Sequence, residues 1–468
     1  MIIFGTDGWR AVISDEFTFE NVRQVASAIA DFLLTDRPNH KLIIIGYDAR
    51  FLADKFAETA TKILEDAGFD CMLCERDTPT PVIAWEVKDR GAAGALMFTA
   101  SHNPPQYCGI KFIPHYAGPA TEEITSKIEE NLRKLKVESR KLKVGKVERF
   151  EPRERYFKYI ERFIDVEVLK RAKLKIVVDP MYGSGRGYLD LLLQRFGCQT
   201  EEIHNYRDVL FGGQNPEPEE NTLIDLKNQI KESGANLGLA LDGDADRFGV
   251  VDEAGDFYSA NQILALVFDY LIEDKGLGGS VVRSIATTHM LDAIAQKHNI
   301  RVHETPVGFK HIAQIMMREE VILGGEESGG FTIKGHILEK DGILADLLVA
   351  EMVAKRGKPL SAIWEDLTAK IGTFLGGRGK LKVGEEKGWK IMEGLRSKPP
   401  DEVGGMRVKE TRTLDGVKII LEDGSWFLIR PSGTEPLLRI YSEARNQADL
   451  NKIENFCYNL IGGNKNDN

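Results

Sequence analysis

The chain has 468 residues, 42% hydrophobic and 29% charged, with a formal net charge of -10 from 62 Lys+Arg against 72 Asp+Glu. At roughly 100–200 residues per domain the length suggests about three domains, and the composition excludes disorder of the chain as a whole. The acidic balance argues against a nucleic-acid partner, which draws on a basic footprint; an anionic small substrate stays open, provided a local basic site is set against the global charge.

Residues 1–10 lack a basic region, a long apolar run and a small-residue cleavage site, so they do not read as a signal peptide. No apolar run approaches the ~18 residues of a transmembrane helix. No membrane partner is expected, and the cytoplasm is the expected location. From Lys41 to Glu75 an apolar strand, Leu42–Ile45, leads through a loop and a helix broken at Gly68 to a second strand at Cys71–Cys74. The same order recurs at 173–204, with a strand at Ile176–Val178 and a leucine-rich helix ended by Gly197. It recurs again at 278–308, with strands near Val281–Ser284 and Arg301–Glu304. Continuous apolar strands alternating with helices indicate parallel sheets covered on both faces. A Gly after the last turn fits a C-cap. Three copies suggest three α/β domains of similar design.

The stretch from Glu122 to Lys173 is highly charged and reads as a solvated helix and an interdomain connection. Residues 373–388 are rich in glycine and charge and read as a linker. Beyond them, short strands joined by Asp-Gly turns precede a final helix near Gln447–Ile461. The expected fold class is therefore α/β: three similar domains with mixed, mostly parallel sheets, at 1–150, 151–255 and 256–372, plus a smaller C-terminal α+β domain at 373–468. The five cysteines are odd in number, and Cys71 and Cys74 form a lone CxxC without a second pair. They read as reduced thiols.

Four loops carry chemistry. Thr99–Pro104 follows an apolar segment and offers Ser101 beside His102 and an Asn-Pro turn. Ser101 is a candidate nucleophile or a capping serine. Lys111 follows as an acid/base or phosphate-binding cation. In the second loop Asp242, Asp244 and Asp246 alternate directly after an apolar strand. Carboxylates so close repel one another unless a cation sits among them, and hard oxygen ligands favour Mg²⁺ or Ca²⁺. An EF-hand is excluded by Arg247 at the position that needs glycine; Arg247 is instead a candidate for a phosphate oxygen. The third loop, 324–330, places Glu326 and Ser328 among glycines, where they suit sugar hydroxyls. In the fourth, Arg430, Ser432, Gly433 and Thr434 form a plausible phosphate cradle.

In this order, with the opening segment 4–10, these loops resemble the α-D-phosphohexomutase superfamily of phosphoglucomutases and phosphomannomutases, along essentially the whole chain. The resemblance implies four domains around a central cleft, each giving one loop; the need to keep a bisphosphate intermediate from escaping predicts closure of the last domain about a hinge near 373–380. The resemblance implies that Ser101 is phosphorylated in the resting enzyme and that Ser101, Asp242, Asp244 and Asp246 hold one Mg²⁺. It implies that Arg10 and Lys111 contact the reacting phosphoryl group, with Lys111 preferred over His102 as acid/base. The loop of Glu326 and Ser328 would read the sugar, and that of Arg430 would hold the non-reacting phosphate. Thr305, Gly308 and Lys310 match a further substrate-contacting segment. The implied function is interconversion of glucose 1-phosphate and glucose 6-phosphate through glucose 1,6-bisphosphate, which also serves as activator, with mannose phosphates as further substrates. The alternatives are a phosphomannomutase or phosphoglucosamine mutase, a glucose-1,6-bisphosphate synthase, and a non-catalytic sugar-phosphate sensor. Gly330, where some relatives carry His, and Glu327, where the glucosamine branch often has Gln, favour the glucose reading. A monomer or homodimer is expected.

Overall fold

The computed structural model describes residues 2–5, 8–37, 39–134, 144–431 and 437–462. The first sheet has six strands in the order Trp9–Val12, Tyr107–Pro114, Gly94–Phe98, Leu42–Tyr47, Asp70–Cys74, Val147–Phe150. Its central strands, LIIIGY and GALMF, are buried almost throughout because helices such as Phe19–Asp36 and Thr80–Arg90 cover the sheet. The second sheet runs Phe257–Tyr258, Phe248–Asp252, Leu237–Leu241, Lys175–Asp179, Gln199–Glu202, and the third runs Val302–Thr305, Ser280–Ser284, Val321–Glu326, Gly330–Ile333.

The three sheets share one unit. In each, three parallel strands are extended by one antiparallel strand. The connection into that antiparallel strand is the loop of interest each time: 99–106, 242–247 and 327–329. One continuous apolar core runs through all three domains. The fourth domain is a six-stranded antiparallel sheet with its own core, which includes Val417, Ile419, Phe427, Ile429 and Ile453. Arg430 stands near the end of Trp426–Pro431, which pairs antiparallel with Leu437–Ala444. Ser432, Gly433 and Thr434 lie outside the described residues.

Two expectations need correction. The glycine-rich stretch 373–388 is not a linker: Leu375–Lys382 is a strand paired along its whole length with Leu437–Ala444, and the helix Glu385–Ser397 follows. Its inward positions alternate as Leu375, Gly377, Gly379, Leu381. Glycine serves at 377 because an added Cβ would lie 2.0 Å from Glu454 Oε1 on the final helix. Glycine thus hid a period of two from the sequence pattern. The charged stretch after Glu122 is also more than a connection: Val147–Phe150 completes the first sheet beside Asp70–Cys74, and Tyr156, Phe157 and Ile160 are fully buried. The final helix is Gln447–Ile461, and all five cysteines are free and buried. Among the described residues no helix is long and apolar enough to cross a membrane.

Candidate active site

The loop of the first domain is built around a buried cation. Arg50 is fully buried and donates through Nη2 to the carbonyls of Ser101 (2.7 Å) and Asn103 (2.6 Å), and through Nη1 to those of Pro104 (2.8 Å) and Tyr107 (2.9 Å). Its Nε donates to Asp48 (3.1 Å), and the guanidinium lies over the Phe211 ring. Asp48 also accepts from Thr99 Oγ1 (2.6 Å), which in turn accepts from the Ser101 amide (2.8 Å). This network holds Ser101 at φ 50°, a left-handed conformation that costs a non-glycine residue roughly 1–2 kcal/mol.

That conformation aims the Ser101 hydroxyl across the domain boundary. Its Oγ donates to Asp242 Oδ2 at 2.8 Å, and His102 Nδ1 lies 3.4 Å from it. Asp242, Asp244 and Asp246 are fully buried, and their nearest oxygens gather within 4.8 Å of one another. Three cations surround them. Lys111 Nζ donates to Asp244 (3.0 Å) and Asp246 (2.8 Å), Lys340 Nζ reaches Asp246 (3.0 Å), and Arg247 pairs with Glu217 (2.5 Å) beside the loop. Thr80 Oγ1 donates to Asp244 at 2.6 Å. Arg10 donates to Asn103 Oδ1 at 2.7 Å, which brings its guanidinium to the loop of Ser101.

The electrostatics follow from burial and neighbours. Burial and the charges of Asp244 and Asp246 raise the pKa of Asp242 well above the carboxylate range. Burial pushes Asp246 the same way, but Lys111, Lys340 and Arg247 outweigh it and hold its pKa far below that range. Burial, then Arg247, Arg10 and the two lysines, keep His102 well below its ordinary value, so its imidazole is neutral. Among the described residues, Asp244 Oδ1 and Asp246 Oδ1 are buried without a hydrogen-bond partner. Orphaned anionic oxygens of this kind are costly unless a cation takes them. An all-oxygen donor set fits a hard divalent ion such as Mg²⁺.

The sugar and phosphate candidates divide into three places. Glu326 is buried, its Oε1 accepts from the Gly308 amide at 2.6 Å, and burial with the charge of Glu327 raises its pKa to about 7. Ser328 is half-buried on the turn that follows. Thr305 is turned to the backbone, donating to the Pro306 carbonyl at 2.9 Å. Arg430 Nη2 pairs with Asp415 Oδ2 at 3.1 Å, while its Nε is buried without a partner among the described residues. Lys310 is not brought to these groups: its Nζ donates to Glu122 of the first domain at 2.7 Å. Sequence reasoning missed Arg50, Asp48, Thr80, Glu217 and Lys340. An Asp-x-Arg directly after an apolar strand was the legible signal for the first two; the other contacts join distant segments and left none.

A buried hydroxyl against a carboxylate cluster ringed by cations, with a separate arginine site on another domain, defines a phosphoryl-transfer enzyme for a small anionic substrate. Its relatives make the class specific. The chain matches the family models for phosphoglucomutase/phosphomannomutase domain I at residues 1–138, domain II at 154–255, domain III at 259–371 and the C-terminal domain at 380–459. It is 32% identical over 449 residues to a phosphoglucomutase/phosphomannomutase of Thermococcus kodakarensis, covering 95% of each chain. It is 33% identical over 468 residues to a probable phosphoglucosamine mutase of Methanosphaera stadtmanae, covering 98% of this chain and 99% of that one. The crystal structure of a putative phosphomannomutase from Thermus thermophilus superposes with a TM-score of 0.87 at 34% identity, covering 99% of both chains. The chain belongs to the phosphoglucomutase/phosphomannomutase family and is an enzyme of the phosphohexomutase class.

Proposed function

We propose that this enzyme interconverts glucose 1-phosphate and glucose 6-phosphate, and accepts mannose phosphates, through a phosphoserine at Ser101 and a bisphosphate intermediate. The observation that carries this reading is the 2.8 Å contact of Ser101 Oγ with Asp242, inside the gathered Asp242–Asp244–Asp246 cluster. Phosphoserine at 101 hands its phosphoryl group to a hydroxyl of the bound hexose monophosphate. The bisphosphate turns over, and its other phosphate returns to Ser101. Arg10 and Lys111 hold the phosphoryl oxygens, and Asp242, Asp244 and Asp246 are the residues that would hold Mg²⁺. When bound, that ion neutralises charge on the transferring phosphoryl group. Lys111 is the acid/base in this reading. The neutral imidazole of His102, beside Ser101, is its alternative for accepting the hydroxyl proton. Arg430 holds the phosphate that does not react, and Glu326 and Ser328 read the sugar hydroxyls. Free glucose 1,6-bisphosphate rephosphorylates Ser101 as activator.

A second reading, a phosphoglucosamine mutase, is favoured by the relatives that bear that name at comparable identity. Glucose-, mannose- and glucosamine-1-phosphate assayed in parallel, with Mg²⁺ and a trace of bisphosphate, decide between the two. Ser101→Ala is expected to abolish turnover on all three while most substrate binding survives. Turnover near that of the unmodified protein would overturn the phosphoserine mechanism.

A further inference from the structure

The Arg430 site and the sugar-reading site lie on different domains, and one carboxylate oxygen joins them. Asp415 Oδ2 forms an ion pair with Arg430 Nη2 (3.1 Å) in its own domain and accepts a hydrogen bond from the Val307 amide (3.0 Å) in the third. The next amide, Gly308 N, donates to Glu326 Oε1 at 2.6 Å. Val307 also packs on an apolar seam between the two domains, formed by Ile285, Ala286, Ile420, Trp426, Leu428 and Tyr441. The path from guanidinium to sugar-reading carboxylate is therefore Arg430, Asp415, the Val307–Gly308 peptide, Glu326: an ion pair first, then two backbone-to-carboxylate hydrogen bonds.

We propose that Asp415 is a positioning residue: it ties Arg430 to the Val307–Gly308 peptide, so that capture of the non-reacting phosphate seats Glu326 on the sugar. The inference rests on the roles assigned above to Arg430 and Glu326. The physical logic is that of remote binding energy. A phosphate that merely binds lowers KM, whereas a phosphate whose binding orders the groups around the reacting end raises kcat. Asp415 engages Arg430 through Nη2, and Nε has no partner among the described residues. An arriving phosphate thus has a donor to meet without breaking the Asp415 contact. The guanidinium, fixed by phosphate on one side and Asp415 on the other, then fixes the peptide that Glu326 grips.

The test compares Asp415→Ala and Asp415→Asn with the unmodified enzyme, by steady-state mutase kinetics and by amide hydrogen exchange of the segment containing Val307 and Gly308. Asp415→Ala is expected to lower kcat at least tenfold without raising KM, and to speed exchange of the Val307 amide at least tenfold. Asp415→Asn keeps an oxygen acceptor for Val307 but loses the charge that pairs with Arg430, so it is expected to hold Val307 exchange within threefold of the unmodified enzyme while kcat falls more than threefold. A kcat of Asp415→Ala within threefold of the unmodified enzyme, an unchanged Val307 exchange rate in that variant, or an Asn variant with unchanged kcat would each overturn the proposal. Arg430→Ala, run alongside, separates the premise from the inference. An unchanged KM in that variant would refute Arg430 as the phosphate site, while the exchange measurement on Asp415→Ala still decides the tie itself.

Discussion

Gly330 and Lys340 make a steric pair whose disturbance is calculable. A Cβ at position 330 would lie 2.3 Å from Lys340 Cδ and 2.7 Å from its Cγ, so it would meet the stem of the lysine rather than its flexible end. Carbon–carbon contact is comfortable from roughly 3.5 Å, so in Gly330→Ala the stem recedes by roughly 1.2 Å. Carried to the ammonium, that shift stretches the 3.0 Å contact of Lys340 Nζ with Asp246 to about 4.2 Å. At an effective dielectric of about 20, the attraction falls from ~5.5 to ~4.0 kcal/mol. A loss of ~1.5 kcal/mol of charge balance at the transferring phosphoryl group corresponds to roughly a tenfold fall in kcat/KM. The assay is mutase turnover of Gly330→Ala, Lys340→Met and the double variant, with a crystal structure of the first. The double variant is expected to be no slower than Lys340→Met alone, since both changes act on one contact. Turnover of Gly330→Ala within twofold of the unmodified enzyme, with Lys340 displaced in the crystal, would refute the electrostatic role. An undisplaced Lys340 would refute the steric argument.

Two further outcomes follow from the site. Glu326 has its pKa raised to about 7, by burial first and then by Glu327, so between its ordinary value and 7 the folded state keeps a proton that the unfolded chain releases. Stability therefore falls as pH rises through that window. Glu326→Gln is expected to gain up to ~3 kcal/mol at pH 8 and little at pH 4 while losing turnover; urea midpoints at the two pH values check it, and equal midpoints would refute the shift. In Arg50→Lys, three donors replace five, leaving at least two of the five acceptors (four loop carbonyls and Asp48) unsatisfied at ~1–3 kcal/mol each. A drop of ~2–6 kcal/mol in unfolding free energy with a large loss of turnover is expected, and a loss below ~1 kcal/mol with normal turnover would count against Arg50 as the support of Ser101.

The domain plan was legible wherever burial on both faces forced an unbroken apolar run. Leu42–Tyr47, Lys175–Asp179 and Ser280–Ser284 lie where the sequence pattern places strands, within two residues at either end. It failed where glycine stood at inward positions, as in Leu375–Lys382, because a period of two carried by hydrogen atoms leaves no hydrophobic signal. It also missed Val147–Phe150, whose first three residues are exposed at the edge of the first sheet. The site was legible in part for a related reason. Asp242, Asp244 and Asp246 sit within five residues, so their mutual repulsion is a local fact. Arg50 is marked locally by the Asp-x-Arg that follows its strand, but the loop it serves lies 51 to 57 residues away, and that local signal does not say which carbonyls it will hold.

By itself, then, the amino-acid sequence determined the repeated α/β plan, the acidic cluster and the loops that carry hydroxyl, carboxylate and guanidinium, because each is written in residues close together along the chain. Only the tertiary structure decided which charges meet. It placed Lys111 and Lys340 on Asp246, parked Lys310 on Glu122, and joined Arg430 to Val307 through Asp415. The reason is the range of the forces. Burial patterns are set by neighbours three or four residues away on a helix and two on a strand, whereas the pairing of buried charges is set by whichever segments the packed core brings together.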